Sequence, residues 1–290
     1  MERLRMALTL AAPAPETLPR PTGHDLAIAS VISAMRKHPE QQLTLDQQAE
    51  IAGFSPYHFA RMFRDTIGIP PGEFQTALRF ARGKELLLQT DASVTDICFD
   101  IGFESLGTFS SRFRQLVGVS PQTFRRLPAV VAPEMFRERD PEEFLALPAG
   151  PSGTLSGQIH HPDNPLSPMS VYIGVFSAAI ARGFPVSGAF LKKHGEYRLE
   201  GIPPGTYTLL AAALPTTATP LDHLIPGASL RVASPAQKIV ITEPGDSIRM
   251  DVHLRPLSVC DPPILISLPA LVMTPKYIRN REEALGLPQE

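Results

Sequence analysis

The stretch "GFSPYHFARMFRDTIGIPPGEF", residues 53–74, returns in altered form as "GFESLGTFSSRFRQLVGVSPQTFRR", residues 102–126. Gly53 and Phe54 fall on Gly102 and Phe103 at an offset of 49. Phe59, Phe63, Arg64, Gly68, Pro71 and Phe74 then fall on Phe109, Phe113, Arg114, Gly118, Pro121 and Phe124 at an offset of 50. Two copies are too few for a solenoid, which needs at least about three stacked units. The pattern therefore describes one small module used twice.

Each copy carries its own start and stop signals. Thr44 with Gln47 three residues on forms a capping box, and Ser93 to Asp96 fills the same slot in the second copy. A short helix is expected after each, over Leu45 to Ala52 and Val94 to Ile101. Gly53 and Gly102 should end these helices in the left-handed conformation. Ala49 and Cys98, four residues before the glycines, are small enough to let a crossing helix approach. The next helices begin at Ser55-Pro56 and Ser105-Leu106, a hydroxyl N-cap followed in the first copy by a first-turn proline. Two helices joined by a glycine turn make either a helix-turn-helix, whose second helix enters the DNA major groove, or a purely structural αα-hairpin.

The second helix of each pair favours the former. Phe59, Met62, Phe63 and Ile67 share one face at helical spacing and read as core. Tyr57, Ala60, Arg61 and Arg64 share another, with His58 beside them, and arginine can grip guanine or phosphate with two parallel hydrogen bonds. In the second copy Phe109, Phe113 and Val117 turn inward. Gly107, Ser110, Ser111 and Arg114 turn outward, flanked by Leu106, Thr108 and Arg112. The shorter side chains of this face imply weaker base selection and more shape or backbone contact. Between the modules, residues 72–90 are helical in pattern and long enough to set two recognition helices in successive major grooves. Arg125-Arg126, after the Ser120-Pro121 helix start, is placed where a contact to the phosphate backbone is expected.

These residues carry a resemblance. From about Ala29 to Arg126 the chain resembles the AraC/XylS family of bacterial transcription regulators, through the paired modules, the connecting "LRFARGKELLL" and the closing "GFESLGTFSSRFRQLVGVSPQTFRR". The resemblance implies binding to asymmetric double-stranded DNA sites, with RNA polymerase as a further partner. It places Tyr57, Ala60 and Arg61 at base-contacting positions of the first module, and Leu106, Gly107, Ser110 and Ser111 at those of the second. Where Ser111 stands the family often has arginine, and it has polar side chains near Leu106 and Gly107. Base readout by the second module is thus either lost or altered.

After residue 127 the composition changes. Most of the 31 prolines lie there, which points to loops and strands. Residues 128–153 read as a linker, with a short helix near Pro141 to Leu147. From Thr154 the period becomes two: Ile248, Met250, Val252 and Leu254 alternate with Arg249, Asp251 and His253, the sign of a half-buried strand. "SVYIGVF" (170–176) and "QKIVIT" (237–242) are strand-like, and "GEYRLEGIPPGTYTLLAAAL" (195–214) reads as two strands with a tight connection. Repeated short strands suggest an antiparallel sandwich. With "GTLSGQI" (153–159), this region resembles the carboxypeptidase regulatory-like, or prealbumin-like, β-sandwich, which implies a binding or scaffolding role. The apolar "DPPILISLPALV" (261–272) is expected to form a last strand or a self-association surface rather than a membrane segment.

The expected fold is therefore multidomain, α then β: a disordered tail over 1–22, a dual helix-turn-helix domain over 23–128, a Pro-rich linker over 129–152, a β-sandwich over 153–257 and a terminal segment over 258–290. Two cysteines offer no disulfide framework and fit a reducing, cytoplasmic setting. No HExxH, G-x-S-x-G or Walker A string is present, so no enzyme, cofactor or metal is expected. His160-His161 is an unpromising metal pair, since neighbours in a strand point to opposite faces. Residues 20–130 hold twelve basic and eleven acidic side chains, which disfavours an architectural DNA protein living on phosphate contacts alone. The leading expectation is a sequence-specific regulator, monomer or homodimer, whose second half senses a small-molecule effector or mediates assembly. The competing one is a ligand-binding or interaction protein whose paired helices no longer bind DNA. The two halves are expected to be separable.

Overall fold

A computed structural model describes residues 22–131, 152–161, 168–235, 237–271 and 275–286. The tail before Thr22, most of the linker and the helix expected near Pro141 to Leu147 lie outside these residues.

Seven helices come first: α1 Gly23–Lys37, α2 Leu45–Ala52, α3 Pro56–Ile67, α4 Pro71–Gln89, α5 Val94–Asp100, α6 Leu106–Val117 and α7 Pro121–Val130. A line of phenylalanines runs through them. Phe59, Phe63 and Phe74 pack at ring separations of 5.6 Å, and Phe80, Phe109, Phe113 and Phe124 continue at 5.6–5.8 Å on the other side of α4. All seven are fully buried. At about 1.5–3 kcal/mol each, burying such rings is the main force holding the two modules on α4.

Among the described residues ten strands follow: β1 Gly153–His160, β2 Met169–Phe176, β3 Ser187–Leu191, β4 Glu196–Ile202, β5 Gly205–Pro215, β6 Arg231–Ala233, β7 Ile239–Ile241, β8 Ser247–Arg249, β9 Val252–His253 and β10 Arg255–Pro256. Helix α8 (Pro220–Leu224) interrupts them, and helix α9 (Pro275–Ala284) comes last. One sheet has the order β4-β1-β8, with β9 also on β1. The other runs β10-β6-β5-β2-β3, with β7 also on β5. Leu155, Ile159 and Leu199 of the first sheet share a core with Val171, Ile173, Leu209 and Ala213 of the second, so the sheets form a sandwich.

Three details depart from expectation. The pairs of β1 with β8 and β9 are parallel, so the sandwich is antiparallel only in its remaining pairs. The strands flanking Pro203-Pro204 do not pair with each other. β4 lies on β1 and β5 on β2, so the tight connection crosses between sheets. The Tyr207 hydroxyl secures that crossing by donating to the Pro203 carbonyl at 3.1 Å.

The third departure is the largest: the halves share a core. β2 is buried along its whole length. Val171, Ile173 and Val175 face the sandwich interior, while Tyr172 on the opposite face joins the helical core together with Phe190, Ala212, Leu214 and Val232. The segment expected as a last strand or a self-association surface is instead pressed against the helices. Leu265, Ile266 and Leu268 are buried there, the Ser267 amide donates to the Val117 carbonyl at 2.9 Å, and residues Leu268–Leu271 form a 3-10 turn. The buried Lys84 of α4 donates to the carbonyls of Ile264 (3.0 Å) and Leu265 (3.2 Å). Arg126 of α7 pairs with Glu282 of α9 at 2.9 Å, with little exposure of either side chain.

Candidate nucleic-acid interface

The local chemistry of both modules matches the sequence reading closely. Thr44 accepts from the Gln47 amide while Gln47 accepts from the Thr44 amide at 2.8 Å, a complete capping box. Ser93 caps α5 by accepting from the Asp96 amide at 3.0 Å. Gly53 and Gly102 have φ of 73° and 79°, the left-handed turn between the paired helices. Ala49 and Cys98 are buried where the helices cross. Ser105 caps α6 through the Thr108 amide at 3.3 Å, whereas Ser55 makes no such bond and α3 starts on Pro56 alone.

One feature of the second turn escaped the sequence reading. Arg79 of α4 lies 4.0 Å from the Phe103 ring centre and donates through Nε to the Ile101 carbonyl at 2.7 Å and through Nη2 to that of Gly102. It is one of three buried polar side chains of α4, with Gln75 and Lys84, and nothing in the local sequence marks it as turning inward.

The expected division of faces holds for α3 and α6. Phe59, Met62, Phe63, Phe109, Phe113 and Val117 are buried. Tyr57 is 80% exposed. His58, Arg61 and Arg64 are exposed with it, and Ala60 is half-buried between them. Arg61 is steadied by Asp65 one turn on, Nε to Oδ2 at 3.7 Å, with both side chains in solvent. His58 packs its ring on Phe54, centroids 5.1 Å apart. On α6, Leu106, Gly107, Thr108, Ser111, Arg112 and Arg114 are exposed and Ser110 is half-buried.

Arg125 is a correction. Its guanidinium donates to the carbonyls of Leu87, at 3.2 Å, and Ala92. The Leu87 carbonyl belongs to the last turn of α4, where backbone carbonyls lack helical partners, and that of Ala92 lies in the α4–α5 connection. The side chain is spent on holding α4 to α7.

A helix-turn-helix domain model matches residues 48–127, the region of both modules. The transcriptional activator AarP of Providencia stuartii is 30% identical over 98 residues, which cover 34% of this chain and 73% of that protein. The chain belongs to the AraC family. Another relative, the right origin-binding protein of Escherichia coli, is 32% identical over 101 residues, which span only 35% of its length. A solved transcriptional regulator from Chromobacterium violaceum, described as an AraC-type DNA-binding domain protein, is 30% identical with a TM-score of 0.34, covering 36% of this chain and 92% of that one. The domain-model match falls on the helical half of the AraC-family chain.

Among the described residues no group of three or more metal-binding side chains is found. His160 stacks instead on His253, ring centres 4.7 Å apart, across the parallel β1–β9 pair.

Proposed function

We propose that this AraC-family chain is a cytoplasmic, sequence-specific transcription regulator that sets α3 and α6 in successive major grooves of one DNA face. The supporting observation is the repeated geometry itself. Two recognition helices both end on a left-handed glycine, Gly68 and Gly118, both turn their aromatic rows inward, and both hold a polar face in solvent. The connecting α4 has 19 residues, or about 28 Å at 1.5 Å per residue, close to the ~34 Å of one DNA turn.

In this reading Tyr57, His58, Ala60, Arg61 and Arg64 form the stronger reading face, with Arg61 on a base edge. Leu106, Gly107, Thr108, Ser110, Ser111, Arg112 and Arg114 form the weaker one. Its short side chains suit close approach and shape readout, with Arg112 and Arg114 on phosphates. RNA polymerase is the partner this role implies. Selection of bound duplexes from a random pool tests the proposal: enrichment of a motif with two separated blocks supports it, and absence of enrichment refutes it.

A further inference from the structure

Both recognition helices end on the β-half. Gly68, the residue that stops α3, rests against Ala179 in the β2–β3 connection, and Gly118, which stops α6, rests against Ile266 and Phe184. The Gly183 amide donates to the Leu116 carbonyl at 2.7 Å, beside the bond from Ser267 to Val117. The same connection and the same 261–271 segment form walls of a cavity of about 670 Å³, and Thr66 and Ile67 at the end of α3 reach it too. Its size lies inside the roughly 300–1,000 Å³ range of small-molecule sites.

The lining defines the guest. Most of it is apolar, from Phe176, Leu210, Ala212 and Val232 on the sheet to Ile264 and Leu268 opposite. The charged groups gather in one short stretch. Arg255 holds Asp261 with two bonds of 2.7 and 2.6 Å, and the Ser258 amide donates to the same carboxylate at 2.6 Å. A charged guest would have to break this closed pair or face it unpaired in an apolar setting, both costly. A neutral guest does neither, and a hydroxyl or carbonyl on it can still meet Ser258.

We propose that this cavity is the effector site of the protein, that it takes a neutral, largely apolar small molecule, and that occupancy shifts α3 relative to α6 and so alters DNA affinity. The regulatory part rests on the DNA-reading proposal; the binding part does not. A ligand acts this way only if it binds one arrangement of the two helices better than another. The shared wall supplies that difference, because a guest pressing on Ala179 or Ile266 presses on the stop of one recognition helix.

The test uses the full chain and a matched pair of fluorescent probes. N-phenyl-1-naphthylamine is neutral, and 8-anilinonaphthalene-1-sulfonate is the same body carrying an anionic group. Saturable one-to-one binding of the neutral probe is expected, about tenfold or more tighter than its sulfonate. Leu257→Asp, at an exposed rim position, should weaken it by about tenfold with unchanged melting, and Ala212→Met, which narrows the cavity, should do so independently. Equal binding of both probes, no saturable binding, or binding indifferent to both variants overturns the site. A bound neutral probe that leaves affinity for the selected duplex unchanged overturns the coupling. If the chain enriches no duplex at all, the DNA reading fails while the probe titration still decides the cavity.

Discussion

Gly68 lies so close to Ala179 that a Cβ on the glycine would stand 2.6 Å from the alanine Cβ. The contact joins the end of the first recognition helix to the β-half, and Gly68 holds it at φ 86°. Gly53 adopts a similar φ of 73° with nothing within 4 Å of an added Cβ. Gly53→Ala should therefore cost only the left-handed penalty, about 1–2 kcal/mol. Gly68→Ala adds overpacking, a further ~1–3 kcal/mol. Chemical denaturation of both variants checks the ordering, and equal losses would mean the halves do not press on each other there.

Arg61 and Arg125 should separate cleanly. Arg61→Ala is expected to cost about 1–3 kcal/mol on the best duplex and to relax preference at one position, with stability unchanged. Arg125→Ala should instead lower the melting temperature, because the carbonyls of Leu87 and Ala92 lose their donor. Titrations on matched and mutated duplexes, beside melting curves, read both effects. An equal loss on every duplex would reassign Arg61 to phosphate.

Gly102 is more constrained than its counterpart Gly53. A Cβ there would lie 2.8 Å from the Glu40 carbonyl oxygen and 3.3 Å from Arg79, at φ 79°. Gly102→Val combines backbone strain with a collision against a main-chain atom, so a loss of roughly 2–5 kcal/mol is expected. Urea unfolding measures it. A valine variant of wild-type stability would contradict the turn geometry.

Burial pushes the Lys84 amine down from 10.5 to about 7, against a smaller opposing effect of Glu85. The unfolded chain therefore binds more protons between these values, and stability should rise with pH across that window. The slope from this group cannot exceed about 1.4 kcal/mol per pH unit. Comparing unfolding of wild type and Lys84→Met from pH 7 to 10 isolates it, since other titrating groups are common to both. A difference that stays flat or falls with pH would contradict a buried, readily deprotonated amine.

The helical half was legible because its signals are local. Thr44 with Gln47, Ser93, Gly53 and Gly102 each act within four residues, and the Phe59 and Phe109 faces follow from helical period alone. Arg125 misled because its exposure depends on where α4 ends in space, which spacing does not reveal. The β-half hid its main property in plain view. "SVYIGVF" and "LLAAAL" are nearly continuous apolar runs, and a strand buried on both faces reads that way. The alternation of β4, like that of β8 and β9, marks a half-buried strand, so the sandwich was anticipated and its second, helix-facing contact was not. Leu265, Ile266 and Leu268 likewise looked like a strand by composition, yet their partners are Val117 and Lys84, far away in sequence.

The claim that α3 and α6 read one DNA face together is tested most directly by selecting duplexes with the full chain and footprinting the winner. The expected protection is about 20 base pairs, with two blocks of preference about 10–10.5 base pairs apart, centre to centre. Arg61→Ala should relax preference at one position of the sharper block alone. A single block, or protection no different between selected and random duplexes, would contradict the account.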